Sequence, residues 1–272
     1  MFERLQIRIH GDASLPSLIY LPGMHGDWTL VSSFRAIVAG RVRFVEFTYP
    51  QTTVWSLGDY AHRMEDALLA NGVTEGWLIG ESFGSQPAWQ LIEQATPAAP
   101  TDDGTRRFRP QGLVLAGGFV RHPTTWAVRM AQRVSGSVPL RAVRLFCGIY
   151  AWYATFRHRH APETLARIQE FVANRTTEND RRAITHRYGL IAANDLRSTA
   201  RRTNLPVYYL AGLVDPLVPW CYVRWWLRRN CPGYRTGRTI FRADHNVLGT
   251  APKASADLVF RWMKREGVML ES

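Results

Sequence analysis

Gly80-Glu81-Ser82-Phe83-Gly84 sets a serine between two glycines, directly after an apolar run at residues 77–80 and directly before a helical pattern at 85–94. In that context the glycines permit a sharp strand-to-helix turn that projects the serine into a cleft as a nucleophile. A glycine-rich turn of this kind also suits phosphate binding at a helix N-terminus, or plain packing. A serine hydroxyl attacks poorly near neutral pH, so the first reading requires a base and a group that orients it. Asp215 follows an apolar strand-like run at 205–210, and His245 follows a strand-like run at 238–241. Nucleophile, acid and histidine therefore occur in that order, with the last two at the ends of late strands. The spacing points to an acyl-transfer site of Ser82, His245 and Asp215.

Asp244 is an alternative acid, ranked lower because neighbouring side chains on an extended segment point apart. His10 and His62 precede the serine, His122 starts a helical region, and His158, His160 and His186 lie inside it. A tetrahedral intermediate also needs backbone N–H donors. By position these are Phe83, after the serine, and Met24, in the loop Leu21-Pro22-Gly23-Met24-His25-Gly26 after the strand pattern at 17–21. His25 is read as a brace for that loop.

Positioning these groups takes a sheet. Alternating or apolar strand runs at 5–9, 17–21, 41–48, 77–80 and 112–116 are interspersed with helical patterns at 57–70 and 85–94. Asn71-Gly72 closes the first helix as a left-handed cap does. After residue 203 the alternation resumes with strands at 205–210 and 238–241 and helices at 220–229 and 253–264. Strand and helix in alternation imply an α/β protein with a mostly parallel central sheet flanked by helices. Residues 95–110 read as a surface loop.

Between residues 120 and 202 strand patterns vanish, and helical segments are predicted near 124–134, 140–158, 162–174 and 179–194. The expected organisation is a core of residues 1–119 and 203–272 with an all-α cap insertion at 120–202. Of the formal net charge of +12, this insertion carries most, with fifteen arginines against five carboxylates.

These pieces together resemble the α/β-hydrolase superfamily. The resemblance rests on Leu-Pro-Gly-Met-His-Gly (21–26), Gly-Glu-Ser-Phe-Gly (80–84), Gly-Leu-Val-Asp-Pro-Leu-Val-Pro (212–219) and Asp-His-Asn (244–246), and covers residues 5–119 and 203–266. One departure is Leu-Pro-Gly where many members carry His-Gly. The resemblance implies Ser82 as nucleophile, His245 as base, Asp215 as orienting acid, and Met24 and Phe83 as oxyanion donors. It gives machinery without a substrate, because the fold hosts many chemistries.

The expected activity is hydrolysis of carboxylic esters or thioesters. The insertion's second helix, with Leu145, Phe146, Ile149, Tyr150, Trp152, Tyr153 and Phe156, is expected to roof an apolar acyl pocket. A functional arginine excess would favour an anionic or carrier-bound substrate, or contact with a membrane surface. The alternatives are an acyltransferase on the same residues and a silent ligand-binding member of the fold.

With 272 residues, 46% hydrophobic, the chain can bury a sizeable core, and its composition excludes collagen-like, disulfide-scaffold and disordered classes. Cys147, Cys221 and Cys231 form no zinc or disulfide pattern and are read as reduced thiols. No cofactor or metal is expected. No nucleic-acid motif accompanies the charge. The arginines and Glu3 near the start argue against a secretory signal, no apolar run reaches about 20 residues, and a cytoplasmic location is expected.

Overall fold

The computed structural model describes residues 4–95, 107–139 and 177–270, with isolated helical positions between 140 and 176. Among these residues seven strands form one sheet: β1 (Gln6–His10), β2 (Ser17–Leu21), β3 (Arg43–Thr48), β4 (Glu75–Glu81), β5 (Arg109–Ala116), β6 (Val207–Gly212) and β7 (Tyr234–Ile240). Their spatial order is β1-β3-β2-β4-β5-β6-β7. Only β1 is antiparallel to its neighbour; the other pairs are parallel. This is the expected mostly parallel α/β architecture.

Strand residues alternate between two buried layers. Ile19, Leu21, Leu113, Leu115, Tyr209 and Ala211 pack into one, beneath α2 (Leu57–Ala70) and α3 (Ser85–Ala95). Leu18, Tyr20, Val114, Ala116, Tyr208 and Leu210 pack into the other, with α1 (Ser32–Val38). Burial on both faces is what allows parallel strands to read as near-continuous apolar runs. β7 reads Tyr-Arg-Thr-Gly-Arg-Thr-Ile because it is an edge strand, half exposed, and the sequence pattern recognises only its end.

Between β5 and β6 run α4 (Thr125–Ser137), α5 (Glu178–Ala193) and α6 (Arg197–Arg202). Thr177 and Asp180 close the N-terminus of α5 as a reciprocal capping box. The same helix is tied to the segment after β3: Gln51 Nε2 donates to Asp180 Oδ1 at 2.6 Å, and His186 Nε2 lies 2.8 Å from the Trp55 carbonyl. The segment predicted at 162–174 and most of that at 140–158 lie outside the described residues, as does much of the 95–110 loop.

The C-terminal part adds α7 (Trp220–Asn230), the short α8 (Val247–Thr250) and α9 (Pro252–Arg265). Cys221 and Cys231 are free thiols, and Cys147 lies outside the described residues. Among the described residues no helix is long and apolar enough to cross a membrane.

Candidate active site

Ser82 stands at the C-terminal end of β4 with φ +49°, a left-handed backbone that L-residues adopt at a cost. The turn survives because its surroundings hold it. Gly84 presses against β2 so closely that a Cβ there would lie 2.1 Å from the Leu21 carbonyl oxygen. Ser85 pins the other side. Its hydroxyl lies 2.6 Å from the Ser82 carbonyl and 3.0 Å from that of Phe119, and it accepts the Phe119 N–H at 3.0 Å.

His245 reaches this serine from the loop after β7, with Nε2 2.8 Å from Ser82 Oγ. Its Nδ1 lies 2.8 Å from Asp215 Oδ2. The Asp215 side chain is fully buried, and its second oxygen accepts the Leu217 and Val218 N–H groups at 2.9 and 3.0 Å. One carboxylate oxygen is thus fixed by the turn that follows β6, which aims the other at the imidazole. The structure brings Ser82, His245 and Asp215 into one hydrogen-bonded line. Asp244 points elsewhere: its Oδ1 accepts the Asn246 N–H at 3.0 Å and the Thr250 hydroxyl at 3.2 Å, tying the loop that carries His245.

Burial alone would lower the pKa of His245, but the hydrogen bond and charge of Asp215, together with the carboxylates of Glu81 and Asp244, outweigh it and raise the value above the ordinary imidazole. Glu81 is itself buried, which raises its own pKa despite a short hydrogen bond from the Tyr20 hydroxyl. Burial, reinforced by the charge of Glu81, keeps the Tyr20 phenol protonated as that donor. The other Glu81 oxygen has no hydrogen-bond partner among the described residues.

The serine opens onto a cavity of about 370 Å³. Met24 and the serine loop form its floor, Phe119, Leu217 and Val218 one wall, and Ala127, Val128 and Ala131 of α4 with Ile184, Tyr188 and Ile191 of α5 its roof. The sequence places this roof on the insertion's second helix, and the described residues of that helix do not line the cavity. Leu145, Ile149 and Trp152 are exposed, and Phe146, Tyr150, Tyr153 and Phe156 lie outside the described residues. Among the described residues the roof comes from α4, which follows β5 from the serine's edge of the sheet, and from α5.

Met24 lines the cavity and Phe83 is buried behind the serine, so both predicted donors sit on the segments that flank Ser82. His25 also lines the cavity. Among the described lining residues the charged side chains are Asp27 and Glu81; no arginine or lysine joins them, and Arg141 is exposed. His122, set aside in the sequence as the start of the insertion, is a wall residue packed edge-on to Phe119 at 4.9 Å. Burial, and next the charge of His245, lower its pKa to about 4, so it stays neutral. Among the described residues no group of three or more His, Cys, Asp or Glu side chains could hold a metal ion.

No family model and no curated protein matches the chain. Solved structures do. The chain is similar to a thermophilic esterase from Thermogutta terrifontis, at 17% identity and a TM-score of 0.72 over 96% of this chain and 93% of that one. It is similar to MGS-M2, an alpha/beta hydrolase from a Medee basin deep-sea metagenome library, at 14% identity and a TM-score of 0.75 over 96% and 94%. The enol-lactonase from Burkholderia xenovorans LB400 gives 16% identity and a TM-score of 0.73 over 96% of each chain. With a serine elbow after β4, a seven-stranded sheet antiparallel only at β1, and these likenesses over nearly the whole length, the chain has the α/β-hydrolase fold.

Proposed function

We propose that the protein is a serine hydrolase that cleaves carboxylic esters or thioesters through an acyl-enzyme. The observation that carries this reading is the line from Ser82 Oγ through His245 to Asp215, each step 2.8 Å, ending at an apolar cavity. With its proton on Nδ1 the imidazole donates to Asp215 and leaves Nε2 to accept the serine proton.

In the proposed reaction Ser82 Oγ attacks the acyl carbon as His245 Nε2 takes its proton. The Met24 and Phe83 N–H groups stabilise the oxyanion. The imidazolium returns the proton to the leaving alcohol or thiol as the acyl–oxygen or acyl–sulfur bond breaks. Water then attacks the acyl-serine by the same proton relay, releasing a carboxylic acid and restoring Ser82.

The roof of small and aliphatic side chains suits an apolar acyl group, and a volume of about 370 Å³ falls in the range of small-molecule sites. The carboxylates in the described lining favour an uncharged acyl group over the anionic one suggested by the arginine-rich insertion. In this reading residues 120–202 act as a cap whose first and last long helices shape the acyl pocket. The likeness in fold to an esterase and an enol-lactonase supports ester-type substrates.

The test is turnover of p-nitrophenyl esters and acyl thioesters of graded chain length, paired with a fluorophosphonate probe and mapping of the labelled residue. Hydrolysis with the label on Ser82 is expected. An unlabelled protein without turnover on the whole panel refutes the reading.

A further inference from the structure

We infer that Arg187 of α5 is a positioning residue that holds the Met24 oxyanion donor in place, an inference that rests on the hydrolase reading above. Arg187 is only 2% exposed, and no carboxylate pairs with it among the described residues. Its guanidinium instead donates to backbone oxygens, to Met24 at 2.8 Å through Nη1 and to Pro50 at 2.9 Å through Nη2. Nε lies 3.4 Å from the Tyr60 hydroxyl, and the group sits 5.5 Å from the centre of the Tyr49 ring. A buried guanidinium is a poor way to gain stability, because taking the charge out of water costs more than packing an apolar side chain of similar volume. What it supplies is direction: a rigid fork that meets two carbonyls at once.

Those carbonyls belong to the segments that shape the proposed oxyanion site. The turn from Gly23 to Gly26 is closed by the Gly26 N–H on the Gly23 carbonyl at 3.0 Å, and the Gly26 carbonyl accepts the Tyr49 N–H at 2.7 Å. Arg187 secures the carbonyl in the middle of that turn. Gly26, at φ +73°, lies flat against the guanidinium, and a Cβ there would sit 2.9 Å from Nη1. A Cβ on Gly23 would lie 3.4 Å from the Ser82 Cβ, so this end of the turn faces the serine. With the carbonyls of Gly23, Met24 and Gly26 all engaged, the backbone of Met24 keeps one orientation relative to the serine.

The same helix places Ile184, Tyr188 and Ile191 in the cavity roof. The element that touches the acyl group therefore also sets the geometry of the donor. Loosening Arg187 should spare ground-state binding and weaken the interaction that matters only once charge develops on the carbonyl oxygen.

The experiment compares the parent protein with Arg187→Gln, Arg187→Lys and Gly26→Ala. Three quantities are read: kcat and KM on a p-nitrophenyl acyl ester, inhibition by a trifluoromethyl ketone of the same chain length, and backbone amide exchange of residues 22–28. For Arg187→Gln, kcat should fall about 10- to 100-fold with KM within about threefold, since loss of a whole oxyanion donor costs about 10²–10³. Ketone affinity should fall by the same factor, because its tetrahedral adduct needs the same donors, and exchange in 22–28 should quicken. Arg187→Lys should recover part of the loss.

A folded Arg187→Gln protein with unchanged kcat and ketone affinity overturns the inference, as does a loss carried entirely by KM. If Arg187→Gln does not fold, the Lys and Ala variants decide by the same criteria. If the parent neither turns over esters nor forms the ketone adduct, the hydrolase reading fails. Exchange then decides alone: faster exchange confined to 22–28 upholds the restraint on the loop, and unchanged exchange overturns it.

Discussion

Asp215 divides its two oxygens between its own turn and His245: Oδ1 accepts two backbone amides while Oδ2 lies 2.8 Å from the imidazole Nδ1. The turn holds the acid independently of the histidine, and the acid in turn holds the ring in one orientation. Asp215→Asn keeps the shape but can present an amide N–H where an acceptor is needed. In the proposed mechanism kcat should fall by roughly 10³–10⁴ with the circular dichroism spectrum unchanged. A loss of less than tenfold would mean that another group orients His245.

The pH dependence follows from the sign of the His245 shift. Only neutral imidazole can take the serine proton, and the histidine's pKa is raised, so kcat/KM should decline on the acid side with a midpoint above 6.5. Glu81 contributes to that elevation from behind the serine. Glu81→Gln should therefore move the midpoint to lower pH without abolishing turnover; a midpoint that stays put would remove Glu81 from the electrostatics of the site.

The left-handed backbone at Ser82 is a local cost that stability measurements can expose. Ser82→Ala and Ser82→Gly should both remove ester hydrolysis, but only glycine relaxes the φ of +49°. In chemical denaturation the glycine variant should be more stable than the alanine variant by about 1 kcal/mol. Equal midpoints would mean that the elbow is unstrained.

Ser85 offers a structural control. Ser85→Ala leaves the buried Phe119 N–H and the Ser82 carbonyl without their shared hydroxyl. Such a loss costs about 1–3 kcal/mol, so a lower denaturation midpoint is expected. A stability equal to the parent would show that the elbow is held without it.

The acyl pocket is tested by filling it. Val128→Phe puts a ring into the roof. Hydrolysis of long-chain esters should fall at least tenfold while acetyl esters are still cleaved. A uniform loss across chain lengths would place the acyl group elsewhere.

How much of this was legible beforehand depended on whether the signal was local. Ser82 and Asp215 are readable because each follows a strand whose two-sided burial leaves an apolar run in the sequence, and His245 because the end of the edge strand before it keeps a short strand-like pattern. The helix from Leu57 to Ala70 is equally plain, closed by Asn71-Gly72, and the structure adds the Ser56–Asp59 capping box at its start. Arg187 carries no such mark. It is one of fifteen arginines in the insertion, and its partners are backbone carbonyls 163 and 137 positions away, so nothing nearby separates it from a solvated neighbour. Ser85 reads as an ordinary first residue of a helix, and its use as a rivet depends on Phe119 arriving from the next strand. The charge of the insertion likewise gives a sum without a direction: the described lining of the cavity contains none of its cations.

β5 and β6 are direct neighbours, Ala116 beside Leu210, although the whole insertion intervenes between them. Because the two strands are parallel, the chain leaves β5 at the serine's end of the sheet and re-enters β6 from the opposite end, at Val207 beside Leu113, so the pairing fixes both ends of the excursion. Doubling the length of a flexible excursion between fixed ends adds only about 0.6 kcal/mol of closure entropy. The excursion behaves as a tool clamped in a vice: its length and lining can be traded for another without resetting either strand, and a lineage can retune what it accepts while the serine, imidazole and carboxylate keep their places.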